Sequence, residues 1–510
     1  MPPRLRLAGA PTKIFLAALL VWLADFLFWD QDIPVALGRF ALAAWAALMI
    51  VQPAVRRDRR ALVALAVALA AALLLLDRPS AFAWLIFCVA MGVATLSPRA
   101  PARQDAWRWL QRLAAAALLG WKRPLDDALR LADRRLARRR GGAVFRLAIL
   151  IVPAAGGAVF LVLFAAANPL IGQALEGLAF PAVEAPRVII WTTVGVSAWI
   201  LFRPRSLRRT LPLPSTPIRS RIAPASVVLS LAVFNLLFAL QNGLDLVFLW
   251  SGAPLPEGVT LADYAHRGAY LLIVTVLLAG AFVLVALDPD SELARQRRVR
   301  WLVIAFLAQN LLLVASSMLR TLDYVEAYAL TQFRLAALAW MLLVAVGLAL
   351  TGIRLVQGRS SAWLVNANVA AVAVVLMGVA AVDLAAVAAQ WNVRHAREAG
   401  GRGAPLDVCY LGQLGSAALL PTIELERRAT DAAFRDRLAH VRQRAMADLA
   451  ERQSDWRTWT LRGSRRLAAA RTRLGSLAPP LPGLRDCDGR LPPVAATAKP
   501  PLTSPAQPGT

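Results

Sequence analysis

A chain of 510 residues that is 58% hydrophobic, with a mean hydropathy of +0.55, is too apolar for a soluble globular protein, so a bilayer must serve as part of its solvent. A net charge of +26 raises nucleic acid as a partner, but the basic residues fall in short clusters between apolar stretches, a topology signal that disfavours it. Cys88, Cys409 and Cys487, with His266, His395 and His440, offer no CxxC pair and no ligand spacing, so neither a metal nor a cofactor is expected.

Arg4, Arg6 and Lys13 precede the first apolar run as in a signal peptide, yet the run closes on Asp25-Phe26-Leu27-Phe28-Trp29 instead of small residues, so a retained helix is expected. Apolar stretches long enough to cross about 30 Å of hydrocarbon lie near 14–29, 33–52, 61–76, 80–97, 143–167, 187–202, 223–242, 267–287, 299–318, 331–353 and 362–391. None alternates like a strand, and backbone groups in lipid must be satisfied internally, so the fold class is all-α: a polytopic bundle of about eleven transmembrane helices. Arginines 56, 57, 59 and 60, the dense stretch from Arg99 to Arg140, and the clusters at 203–221, 295–300 and 354–359 fall on one side, while the alternate loops hold few. That asymmetry puts the N-terminus and these loops in the cytoplasm, and an odd number of crossings puts the C-terminal tail outside. With arginine replacing nearly all lysine, the composition suggests a GC-rich bacterial genome and therefore the inner membrane.

The chain divides on this reading into 1–97, the first four helices; 98–142, a basic cytoplasmic loop; 143–222, helices five and six with a basic loop; 223–391, helices seven to eleven; 392–475, a helical extramembrane tail; and 476–510, an unstructured Pro/Ala-rich end. In the 98–142 loop, Pro124 opens a helix with Leu125, Leu129, Ala132 and Leu136 on one face, expected to lie on anionic lipid headgroups beside Trp107, Trp109 and Trp121. The tail reads as one helical stretch from 422 to 475 with a modest apolar stripe through Phe434, Leu438 and Val441, suited to envelope protein partners.

The segment Phe234 to Asn242, followed by Asp245, Leu249-Trp250, Pro256-Glu257-Gly258 and Tyr264-Ala265-His266-Arg267-Gly268, resembles a family of uncharacterised bacterial multi-pass membrane proteins, a domain of unknown function of the four-one-seven-three type. Tyr328-Ala329-Leu330-Thr331 with Arg334, Asn392, Leu406-Asp407, Tyr410-Leu411 and Trp456-Arg457 extend the resemblance to roughly 225–460, with the first five helices more generic. Several members carry Gly in place of Ala329 and Arg in place of His266. The resemblance implies membrane location and multiple helices, and it supplies no activity.

A candidate polar cluster gathers at the external ends of predicted spans seven to ten: Asn235, Gln241, Asn242, Asp245, Tyr264, His266, Arg267, Asp323, Glu326, Tyr328, Thr331 and Arg334. It reads either as interfacial anchoring and helix registration or as a ligand pocket, with Asp245, Asp323 and Glu326 the natural partners of Arg267 and Arg334. Asp25, Arg39 and Asp383 are candidate intramembrane charges; Asp25 and Arg39 are expected to pair across the first hairpin, and Asp383, lacking a local partner, is the transport candidate. Asn235 and Gln309-Asn310 suit interhelical hydrogen bonds. Cys409 and Cys487 both fall on the oxidising side, as a disulfide or as two thiols. No HExxH, P-loop, GxSxG or dinucleotide fingerprint is present, so no catalytic residue is assigned. The expected function is a non-catalytic envelope component engaged in interaction or signalling, or alternatively a small-solute or ion transporter using the polar cluster.

Overall fold

The computed structural model describes residues 9–30, 33–124, 126–127, 157, 184–205, 207, 209–212, 224–251, 278, 296–475 and 477–491. Among them there is no strand. The helices are α1 (Ala10–Phe28), α2 (Ile33–Val51), α3 (Arg59–Asp77), α4 (Ala81–Leu96), α5 (Ala106–Gly120), α6 (Ala185–Phe202), α7 (Pro224–Asp245), α8 (Arg297–Tyr328), α9 (Gln332–Gln357), α10 (Ser361–Ala381), α11 (Leu384–His395), α12 (Val408–Gln413), α13 (Leu419–Arg428), α14 (Ala432–Ser454) and α15 (Leu461–Leu474). Helices α1, α3, α4, α6, α7, α8, α9 and α10 are long and apolar enough to cross a bilayer, and α2 adds a shorter apolar stretch, Ala36–Val51. The protein is an all-α membrane bundle. The predicted spans 143–167 and 267–287 lie outside the described residues.

Short polar side chains start the helices where lipid cannot satisfy the first N–H groups. Asp58 accepts from the N–H groups of Arg60 (2.8 Å) and Ala61 (3.2 Å), Ser80 from Ala83 (3.1 Å), Asp105 from Arg108 (2.9 Å) and Ser360 from Trp363 (3.2 Å). The Asp105 cap starts α5 some twenty residues ahead of the helix expected at Pro124. Leu125 and 128–142 lie outside the described residues.

The chain forms two compact units, one of Met1–Thr321, Ala336–Val382 and Asp455–Arg462, the other of Leu322–Leu335, Asp383–Ser454 and Gly463–Thr510. In the first, α1 to α4 and α6 enclose a core of alanine and leucine. Ala61, Ala64, Ala68, Ala72 and Leu75 form a buried stripe along α3 that meets Ala83, Phe87, Ala90 and Ala94 of α4. Small side chains are what let membrane helices approach closely, since lipid offers no hydrophobic drive between them. Gly38 is the extreme case: a Cβ there would come 2.6 Å from the Leu76 nitrogen and 2.8 Å from the Leu75 carbonyl carbon, so α2 and α3 touch backbone to backbone. A separate core joins α7, α8 and α9 through Leu231, Val303, Phe306, Leu313, Met341 and Leu348.

The second unit corrects three expectations. The predicted span 362–391 is two helices, because the backbone leaves α10 at Val382 and Asp383 caps α11 with a bond from the Ala386 N–H (3.2 Å). The tail helix of 422–475 is three, α13, α14 and α15; Asp431 takes the Phe434 N–H (2.8 Å) and restarts the chain as α14, and a break at 455–460 precedes α15. Residues 477–491, expected to be unstructured, are docked. Cys487 is disulfide-bonded to Cys409 on α12, with Cα atoms 5.0 Å apart. Arg437 holds the Asp488 carboxylate (3.0 Å) and carbonyl (2.9 Å), and Arg485 pairs with Asp436 at 2.6 Å. Residues 492–510 lie outside the described residues.

This unit has its own apolar interior, including Leu330, Val393, Leu411, Leu425, Phe434 and Leu438, and a second cluster of Leu419, Ile423, Leu449 and Leu467. Inside it, Arg442 meets the Glu426 carboxylate with both Nε (2.7 Å) and Nη2 (3.2 Å). Burial alone would raise Asp436, but hydrogen bonds from Arg485 and the Leu481 N–H, with the charges of Arg485 and His440, hold its carboxyl below the ordinary 3.8. Burial, then the charges of Arg485 and Arg444, keep His440 below its ordinary 6.5 against the pull of Asp436.

Candidate functional site

The polar residues marked out by the sequence separate into three groups. The first lines the seam of α7 and α8. Asn235 Nδ2 donates to the carbonyls of Leu231 (2.8 Å) and Leu302 (3.0 Å), and its Oδ1 accepts from Gln309 Nε2 (2.7 Å). One heptad further, Asn242 Nδ2 donates to the Gln309 carbonyl (3.1 Å), and Trp250, in the π turn Leu246–Trp250 after α7, donates to Ser316 Oγ (3.1 Å). The pairs 235/302, 242/309 and 250/316 keep a separation of 66 or 67 residues, so the two segments run parallel in heptad register.

At the far end of the seam, Asp245 is fully buried, accepts from Gln241 Nε2 (3.0 Å) and pairs with Arg320 of α8, itself buried. Each charge is tolerable there because the other neutralises it; removing one partner of such a pair costs about 3–5 kcal/mol. Tyr264, His266 and Arg267 lie outside the described residues.

The second group pins the turn between α8 and α9. Asn392 of α11 grips Leu330 twice, its Oδ1 accepting from the N–H (2.7 Å) and its Nδ2 donating to the carbonyl (2.9 Å). The Tyr410 hydroxyl accepts from the Gln332 N–H (3.0 Å), and Thr331 Oγ1 from that of Arg334 (3.3 Å). Arg334 does not pair with Asp245, Asp323 or Glu326 as expected. It donates to the carbonyls of Tyr328 (2.7 Å) and Ala329 and lies 4.3 Å over the Tyr324 ring, while Asp323 and Glu326 are exposed. The reason is local: the last carbonyls of α8 lack intrahelical partners and carry the negative end of its dipole, so a guanidinium a few residues on caps them. Ala329 has φ +66°, a left-handed conformation that favours glycine.

The third group corrects the expected Asp25–Arg39 pair. Asp25 is held by Arg187 of α6, whose Nε and Nη2 reach its two oxygens at 2.6 and 2.5 Å, and by Trp191 Nε1 at 2.8 Å. Helix α6 packs on α1 and brings the guanidinium in as a two-pronged fork, the stronger geometry for a carboxylate. Arg39 instead donates to the carbonyls of Arg457 (2.7 Å) and Trp459 (2.9 Å). Around these bonds Trp456 stacks on Phe26, Arg457 lies 4.6 Å over the Phe26 ring, Arg39 lies 5.6 Å over Trp456, and Arg462 pairs with Asp77 at 2.6 Å. Asp383 is likewise corrected: it caps α11 from outside any span and pairs with Arg466 of α15.

Among the described residues, then, Asp25, Arg39, Asp245, Arg334 and Asp383 are each engaged within the protein, and no group of His, Cys, Asp and Glu is placed to hold a metal ion. Sequence reasoning missed Arg187, Arg320 and Arg466. The first two carried a usable signal, since both fall in loops that the charge asymmetry leaves nearly bare of cations.

A family model described as "Domain of unknown function (DUF4153)" matches residues 61–425, more than half of the chain. The match reaches back to α3, into helices whose sequence reads as generic, and stops before Trp456-Arg457; its number replaces the four-one-seven-three suggested by the motifs. No curated protein and no solved structure matches the chain.

Proposed function

Because the chain belongs to the DUF4153 family, a domain of unknown function, and is embedded in a membrane, we propose that it is a non-catalytic scaffold of the bacterial cell envelope. The bundle sits in the inner membrane with its N-terminus in the cytoplasm. It carries a helical tail module outside, where that module engages other envelope proteins. The observation that carries this reading is the Cys409–Cys487 disulfide closing a module with its own apolar interior, a bond that persists in oxidising compartments. The arginine asymmetry of the loops supports the same orientation. Leu110, Leu118, Leu119 and Trp121 of the α5 region are exposed, close in sequence to Arg103 and Arg108, a composition suited to anionic lipid headgroups.

The alternative, a small-solute or ion transporter, loses its leading residue, because a carboxylate that caps a helix and pairs with Arg466 is a poor proton carrier. Transport through Asp383 would make substrate uptake into vesicles disappear in Asp383→Asn. The scaffold reading is tested by isolating the full-length protein gently from native membranes, with and without residues 422–475. Partners are expected to be lost with the segment, and their full recovery without it would sink the reading. A phosphatase or fluorescent reporter fused after Asn392 tests the sidedness. Phosphatase activity is expected, and fluorescence without it would place the module inside.

A further inference from the structure

We propose that the seam between α7 and α8 is an internal hydration site, with water held by the side-chain oxygens of Asn242, Gln309 and Asn310. The argument is one of unmatched hydrogen-bond capacity. The three amide nitrogens are used, toward the Gln309 carbonyl, Asn235 Oδ1 and the Phe306 carbonyl (2.7 Å) respectively, whereas the three oxygens are buried with no donor among the described residues. Turning an amide over does not help, because it would set an oxygen against a carbonyl and strand the NH₂ group. Asn242 is bonded to the Gln309 backbone and Asn310 is the next residue, so the three belong to one stretch of the seam.

What satisfies them must be small, a donor and neutral. Burial excludes a lipid headgroup or another chain, for Asn310 has no exposed surface and Asn242 almost none. A cation is disfavoured because Asp245 and Arg320 already cancel one another at the end of the seam, so an added ion would bring an uncompensated charge into the interior. Water meets all three conditions. Its O–H groups donate, and a polar site able to offer two to four partners is where buried water is found. Such water would also solvate the Asp245–Arg320 pair, since Asp245 lies one helical turn beyond Asn242 on the same face of α7.

Radiolytic hydroxyl labelling of the full-length protein in lipid nanodiscs tests this, because bound water generates radicals beside side chains that bulk solvent cannot reach. Phe306, whose carbonyl takes the Asn310 amide, and Met341 belong to the core that joins α7, α8 and α9, and Met91, also buried but in the core of α1 to α4, is the dry control. Met341 is expected to be oxidised several-fold faster than Met91, with Phe306 labelled alongside. Asn242→Leu, Gln309→Leu and Asn310→Leu are each expected to bring Met341 toward the Met91 rate. Equal rates at the two methionines in the unaltered protein would overturn the proposal, even if no variant folds. So would Met341 oxidation that none of the three variants lowers, or protection of Met341 given by sodium and not by potassium or choline, which would mark an ion site.

Discussion

Breaking the Cys409–Cys487 bond in the double variant Cys409→Ser, Cys487→Ser gives the most direct view of how the tail module is stabilised. The bond closes a loop with a sequence separation of 78. In the chain-entropy treatment, −2.1 − 1.5R ln 78 comes to roughly −15 cal/mol/K, or about 4.5 kcal/mol at 25 °C withdrawn from the denatured ensemble. Without it, residues 477–491 are held by Arg437 on Asp488, Arg485 on Asp436, the Leu481 N–H on Asp436 and Arg442 on the Ala478 carbonyl, polar contacts of about 1 kcal/mol each. They cannot replace it. The module should therefore lose most of the 4.5 kcal/mol, read as a lower thermal midpoint in mild detergent, and reductant should lower the midpoint of the unaltered protein equally. Maleimide added during lysis, before any reductant, should leave Cys409 and Cys487 unmodified. Modification of both tail cysteines without reduction, or a midpoint indifferent to reductant, would refute the reasoning.

Arg320→Met removes a counter-charge from the buried Asp245 and should cost about 3–5 kcal/mol, whereas Arg320→Met with Asp245→Leu should recover much of it; a double-mutant cycle on detergent unfolding measures the coupling. Ala329→Gly should stabilise by roughly 1 kcal/mol by relieving the left-handed backbone at φ +66°, visible as a raised thermal midpoint. Gly38→Leu should separate α2 from α3 at a cost of about 1–3 kcal/mol or more, detected as reduced yield of folded protein by size-exclusion profile, because even a Cβ would meet the Leu76 nitrogen at 2.6 Å. Acid should weaken the tail module in two steps. His440 is held below 6.5, so below that pH the unfolded chain binds a proton that the native state resists and stability falls. Asp436 is held below 3.8, so its contribution is complete above that value and disappears as pH drops through its lowered native value; protease resistance between pH 7 and pH 3 should show both losses.

The spans were legible because their signal is local: twenty apolar residues betray a crossing whatever they pack against. Partner choice was not. The Asp25 carboxylate is satisfied 162 residues away, and hydropathy cannot say that α6 rather than α2 delivers the guanidinium. The break at Asp383 was hidden by alanine on both sides, which keeps the hydropathy high through a turn; its only mark was an Asp placed to cap a new helix. The docked residues 477–491 read as disordered because repeated proline, glycine, alanine and threonine run from about 476 to the end of the sequence, while what fixes them is a distant cysteine with Arg437, Arg442 and Arg485. The motif residues Asn392 and Tyr410 were visible as unusual, and their role was not, since the backbone groups they hold belong to a turn some sixty to eighty residues earlier.

Arg39 has a consequence for how the protein is made. It lies on α2, yet the carbonyls it binds belong to residues 457 and 459, more than four hundred positions later. Throughout translation of the intervening helices this guanidinium must be solvated by water or headgroups, so the mouth of the first hairpin stays open to solvent until residues 457–459 have been made. A chain truncated before Asp455 would insert its spans and still present an unsealed first hairpin, giving membrane quality control a structural mark that separates molecules lacking this segment from those that carry it.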